Sequence, residues 1–130
     1  MLKPNELERT LKTLIEINQP CYIEGSAGIG KSAIITKVAK NLGYNLVDVR
    51  VFLPRKEDGK TVLFLDELVH GSPSVQKALF QLIRDRKIGE YTLPDTTIII
   101  GAGNKISDRA GAIQMNSALA NRFVNLTLEA

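Results

Sequence analysis

From Asn5 to Ile17, "NELERTLKTLIEI" repeats apolar residues at helical spacing, so that Leu7, Leu11, Leu14 and Ile15 fall on one face. Asn5, followed three residues later by Glu8, predicts a capping-box start. After Gln19-Pro20 the short apolar run from Cys21 to Ile23 predicts a strand. Beyond a glycine-rich stretch, Ile34, Ile35, Val38, Ala39 and Leu42 predict a second amphipathic helix, stopped by Gly43. "NLVDVRVF" is strand-like as far as Phe52, and "TVLFL" from Thr61 to Leu65 has the unbroken apolar run of a strand buried on both faces. Ser72-Pro73 reads as a cap and a first-turn proline, opening a helix with Val75, Leu79, Leu82 and Ile83 inward. "TTIIIGAG" predicts another buried strand, "SALANRF" a short helix, and "VNLTL" a final strand.

Strands alternating with helices predict an α/β sandwich: a mostly parallel five-stranded sheet with helices on both faces. The 130 residues suit one domain, residues 1–130, able to bury about two-thirds of the unfolded surface. Composition excludes more than it suggests. The single cysteine, Cys21, and single histidine, His70, leave no internal disulfide and no plausible zinc set. The net charge of +3 is mild, and 5% aromatics supply no stacking platform for nucleic acid. Nucleic-acid binding is therefore not indicated. The small basic clusters (Arg55, Lys56, Lys60 and Arg84, Arg86, Lys87) read as solvated surface, with a polyanion or partner contact as the alternative. No apolar run approaches the roughly 18 residues of a membrane span, and "MLKPNELERT" lacks a signal-peptide core, so a cytoplasmic protein without membrane contact is expected.

The chemistry concentrates in Gly25 to Ser32, "GSAGIGKS", which fits strand–GxxxxGK[ST]–helix. Gly25, Gly30, Lys31 and Ser32 occupy the four defining positions, with Ser26, Ala27, Gly28 and Ile29 between them. Such a loop turns backbone N–H groups around phosphate oxygens, and the helix that follows adds its positive dipole end. Lys31 is placed to reach the β- and γ-phosphates of ATP, or the β-phosphate of ADP, and the Ser32 hydroxyl to ligate Mg²⁺. The expected fold is thus a P-loop NTPase sandwich.

Three further positions complete the candidate site. "TVLFLDE" delivers Asp66 and Glu67 at the end of a hydrophobic strand, where α/β sheets place ligands. Asp66 suits the Mg²⁺ hydration shell, and Glu67 can orient and deprotonate an attacking water. Without the glycine loop upstream, the pair would read equally well as surface carboxylates. Asn104, just past "TTIIIGAG", is either a turn residue or an amide that bonds the γ-phosphate or the nucleophilic water. Arg122, in "SALANRF", is either a surface charge or an arginine finger that stabilises charge on a transferred phosphoryl group.

The succession "GSAGIGKS", "LFLDEL", "IIIGAGN", "SALANRF" resembles the AAA+ ATPases, and within them the MoxR-type branch in its compact bacterial and phage forms. The resemblance runs from about Leu7 to Leu128 and includes "GSPSVQKALFQLI", "IGEYTLPD" and "SDRAGAIQMNSALANRF". It implies that Gly25 to Ser32 are the Walker A loop, Asp66 and Glu67 the Walker B pair, and Asn104 sensor 1. It also implies that Arg122 points into the nucleotide site of a neighbouring subunit. Ring assembly, usually hexameric, and ATP-driven remodelling of a protein client follow from the same resemblance.

Three departures stand out. Val69-His70 replaces the family's Asn-Arg near subunit contacts, and His70 reads as a solvent-facing or capping residue rather than a catalytic one. The chain ends at Ala130, so the helical lid with its sensor 2 arginine is expected to be absent. Finally, only Leu53 to Lys60 separates two predicted strands, whereas parallel neighbours need a crossover of about a dozen residues or more. The expectation is either an antiparallel hairpin or a segment missing near 52–53, where the family has a helix and a pore loop.

Overall fold

The structure, a computed structural model, describes residues 1–26, 28–49, 52–66, 73–104 and 122–129. Five strands form one parallel sheet in the order β2-β3-β6-β1-β7. They are β1 (Cys21–Glu24), β2 (Asn45–Asp48), β3 (Thr61–Asp66), β6 (Thr97–Gly103) and β7 (Val124–Thr127). Among the described residues three helices accompany them: α1 (Pro4–Glu16), α2 (Lys31–Asn41) and α3 (Pro73–Asp85). A two-stranded antiparallel hairpin, β4 (Lys87–Ile88) with β5 (Tyr91–Thr92), follows α3.

The pleat sorts the strand residues into two cores, because successive side chains point to opposite faces. Cys21, Ile23, Val62, Phe64, Ile98, Ile100 and Ala102 meet α1 and α2 through Leu7, Leu11, Ile15, Ile35 and Val38. Tyr22, Leu63, Leu65 and Ile99 face the other way, against Leu82 and Ile83 of α3. Helices therefore cover both faces, as the alternating pattern predicts. Full burial of a Leu or Ile stabilises by about 1.5–3 kcal/mol, so Leu7, Leu11 and Ile15, all at most 1% exposed, dock α1 firmly.

The boundaries differ from expectation in informative ways. Helix α1 starts at Pro4, not after Asn5, and the Glu6 carboxylate accepts a hydrogen bond from the Lys3 backbone N–H at 2.9 Å. Proline at the first helical position has no N–H to leave unpaired. The β4–β5 hairpin was not anticipated from periodicity, since two-residue strands are too short to show any.

The connection between β2 and β3 corrects a sequence expectation. β2 ends at Asp48 rather than Phe52, and it pairs with β3 in parallel, Asn45 opposite Thr61. The antiparallel hairpin is excluded. The Phe52 N–H turns back to the Asp48 carbonyl at 3.4 Å, and Phe52 stands 53% exposed. The described part of the return runs from Phe52 to Lys60, and residues 50 and 51, beside the segment expected to be missing near 52–53, lie outside the described residues. The return carries one short 3₁₀ turn, Lys56–Asp58.

The predicted helix start at Ser72 and most of "SALANRF" lie outside the described residues. Among the described residues no helix is long and apolar enough to cross a membrane.

Candidate functional site

Strand order brings the C-terminal ends of β1, β6 and β3 side by side. Glu24 pairs with Gly103, and Asp66 with Ala102. The loop after β1, the Asn104 side chain after β6 and the Asp66 carboxylate closing β3 therefore share one edge of the sheet. They surround a pocket of about 450 Å³ lined by Gly28, Gly30, Lys31, Ser32, Ala33, Asp66 and Asn104.

The loop needs its glycines where they stand. Gly28 (φ 78°) and Gly30 (φ 91°) adopt left-handed backbone conformations, which strain other L-residues. Gly30 caps α2, and its carbonyl receives the Ile34 N–H at 3.1 Å. This turn aims the helix N-terminus, with its partial positive charge, at the pocket. Ile29, between the two glycines, packs against the α1–α2 core and so anchors the loop from behind.

Lys31 is 8% exposed, a cation in a place that demands compensation. Its ammonium donates to the Gly25 carbonyl at 2.7 Å, the Ser26 carbonyl at 3.2 Å and Asn104 Oδ1 at 3.1 Å. An ammonium has three donors. Each of these three acceptors is uncharged, so an incoming phosphate oxygen, itself charged, would offer a stronger bond in exchange.

Ser32 is exposed at the pocket wall, and Asp66 lines the same pocket. A hydroxyl and a carboxylate are hard oxygen donors of the kind that hold Mg²⁺ together with substrate phosphates. Among the described residues no cluster of three or more His, Cys, Asp or Glu forms an all-protein metal cage. The donor set fits a metal that arrives with phosphate.

Of the predicted site residues, Gly28, Gly30, Lys31, Ser32, Asp66 and Asn104 line one pocket. Gly25 and Ser26 adjoin it through their carbonyls. Ala27 and Glu67 lie outside the described residues, as do Val69 and His70. Arg122 is elsewhere. Val124 pairs with Cys21, the first residue of β1, so Arg122 lies before the N-terminal end of the sheet. It is exposed, and the length of β1 separates it from the loop, more than about 10 Å at strand rise.

Residue spacing did not reveal that Asn104 bonds Lys31 across 73 positions. Nor did it single out Tyr22, whose ring covers Gly101 and Gly103. A signal for Tyr22 existed: two glycines two apart on a buried strand share a face and leave room there for a large neighbour.

No family model matches the chain, and no curated protein matches it. Solved structures do. RuvB from Thermotoga maritima, as its P216G mutant, superimposes with a TM-score of 0.70 at 20% identity, covering 99% of this chain and 47% of that one. The chain has the P-loop NTPase α/β fold. RuvB from the same organism, described as a Holliday junction branch migration motor, gives 0.62 at 22% identity, covering 95% and 44%. NtrX from Brucella abortus, solved in complex with ADP, gives 0.65 at 17% identity, covering 95% and 34%. The chain spans less than half the length of each of these proteins, and at such identities the likeness is one of fold.

Proposed function

We propose that this chain is an ATP-binding and ATP-hydrolysing core of AAA+ type. The observation that carries the proposal is the meeting of Lys31, Ser32, Asp66 and Asn104, from three separate strand ends, around one pocket behind a glycine loop. The phosphates of ATP or ADP lie along Gly25 to Ser32, with Lys31 exchanging loop carbonyls for phosphate oxygens. Ser32 and Asp66 hold Mg²⁺, which when bound neutralises charge on the phosphates. Asn104 positions the attacking water or the terminal phosphate, and Glu67 accepts the water's proton.

Arg122, far from its own chain's pocket, serves as an arginine finger only if it enters another subunit's site. That favours a ring, hexameric in the full-length protein, over a solitary enzyme. ATP turnover in such a ring would remodel a protein client, in the cytoplasm and in the manner of MoxR-type proteins. The fold likeness to a DNA-junction motor favours a second function, a DNA-acting AAA+ loader. A binding module with little hydrolysis is the third.

A steady-state ATPase assay with Glu67→Gln as control tests the proposal. The amide keeps the shape but accepts no proton, so turnover should fall by about 10² or more while ATP still binds. Binding without turnover in the wild type would favour the module. Stimulation by branched or single-stranded DNA would favour the loader.

A further inference from the structure

Tyr22 sits on β1 directly opposite Gly101 of β6, with its ring directed along the sheet toward the pocket end. It is 3% exposed, and Phe123 packs edge-on against it at 6.2 Å between ring centroids. A methyl group at Gly103 would overlap the Tyr22 hydroxyl and stand 3.1 Å from Cζ. A methyl at Gly101 would stand 2.8 Å from Cδ2. The glycines of β6 and the tyrosine of β1 thus fit one another closely.

Gly103 is also a hinge point of the pocket. Its carbonyl accepts the Gly25 N–H at 3.1 Å, and the next residue is Asn104. Gly25 and Asn104 are in turn two of the groups that hold the Lys31 ammonium. Four residues therefore form a closed circuit, Gly103 to Gly25 to Lys31 to Asn104 and back. Any shift in Gly103 moves both the Gly25 and the Asn104 acceptors of Lys31.

The geometry points to Tyr22 as a positioning residue of the nucleotide site: by filling the space over Gly101 and Gly103 it sets where β6 ends, and so where Gly25 and Asn104 present Lys31 to the phosphates. This rests on the nucleotide function proposed above. Tyr22 touches no nucleotide and acts through β6. Lys31 held in place before ligand arrives loses less freedom on binding.

The test uses steric swaps. Gly103→Ala should weaken ADP binding, measured by calorimetry, at least about tenfold, the loss expected when one charge-assisted hydrogen bond is displaced. Adding Tyr22→Phe removes the overlapping hydroxyl, and the double variant should return to within about threefold of the wild type. Gly101→Ala, whose obstacle is a ring carbon that phenylalanine keeps, should not be rescued by Tyr22→Phe. Acylation of Lys31, followed by mass spectrometry, gives a readout that needs no nucleotide: faster in Gly103→Ala and slow again in the double variant.

Unchanged binding and acylation in Gly103→Ala, or no recovery in the double variant, would overturn the inference. If Gly103→Ala does not fold, recovery of a folded protein in the double variant supports the same contact, and its absence overturns it. Failure of the wild type to bind ADP, with the acylation pattern intact, would remove the nucleotide function and retain the control of Lys31 by Tyr22.

Discussion

Arg86 and Lys31 are both cations bonded to backbone carbonyls, at opposite ends of the same sheet. Arg86 follows α3 in a left-handed conformation (φ 57°), and its Nη2 donates to the Pro94 and Thr97 carbonyls, each at 2.8 Å. Burial pulls its pKa below the usual guanidinium value, yet an arginine stays charged. Around it the Tyr91 hydroxyl donates to the Pro54 carbonyl at 2.6 Å, and the Asn45 amide to the Asp58 carbonyl at 2.7 Å. These bonds tie the start of β2 to the 3₁₀ turn before β3, β5 to the segment ahead of that turn, and the residue after α3 to the start of β6. Lys31 also bonds carbonyls, but those of a loop with two left-handed glycines beside an open pocket. The planar guanidinium fork fixes a turn, whereas the flexible ammonium stem can change partners. Similar bonds serve architecture at one end and, in the proposed function, ligand exchange at the other.

The largest expected effect tests whether the architectural end also has a chemical role. An arginine finger contributes about 10³ to 10⁵ in rate, roughly 4–7 kcal/mol. Arg122→Ala should be nearly inactive yet bind ATP normally, and wild-type specific activity should rise with protein concentration. Mixing Arg122→Ala with Lys31→Ala, whose own site is empty but whose Arg122 is intact, should restore partial turnover. No rescue, with concentration-independent wild-type activity, would confine function to the pocket end.

Between the two ends lies the shared sheet, and Cys21 at the start of β1 reports on it. Burial raises its thiol pKa from 9.0 to about 12. Above pH 9 the unfolded thiol loses its proton while the folded one keeps it, so the unfolded chain binds fewer protons and stability falls with rising pH. The stability is intact below about pH 9 and is lost progressively toward pH 12, by up to about 4 kcal/mol. Urea unfolding across this range should show a steeper loss in the wild type than in Cys21→Ala. Equal slopes would mean that the thiol ionises alike in both states.

Arg86→Met removes two charge-assisted bonds at the architectural end while keeping the stem. It should lower stability by about 2–3 kcal/mol and leave ADP affinity within about twofold. An equal loss of affinity would show that the two ends are coupled through the sheet. Lys31→Ala should do the reverse. Its circular dichroism should remain that of the folded chain, while nucleotide binding weakens at least about tenfold, roughly 1.4 kcal/mol or more. Unchanged affinity would contradict the site assignment.

Much of this architecture was already present in local patterns. The glycine spacing of residues 25–32, the helical faces of α1 and α2, and the continuous apolar runs of β3 and β6 depend on neighbours a few residues away, and the structure agrees with them. Element ends were less readable. Val49 continues one hydrogen bond of the ladder, to the Phe64 carbonyl at 3.2 Å, before the chain turns at Phe52. β-rich residues on both sides of that turn hide it from any local count.

Other features depend on strand order and register, which no local window contains. Parallel pairing of β2 with β3 follows from a crossover, not from the residues that pair. Lys31 meets Asn104 only because β6 lies beside β1. Tyr22 meets Gly101 and Gly103 only because of that register, and Arg122 lies away from its own pocket because β7 runs parallel to β1. Residue type and spacing set which groups are available for chemistry. The order in which buried strands share the sheet decides which of them meet, because hydrogen-bonded pairing brings distant segments to within about 5 Å of each other.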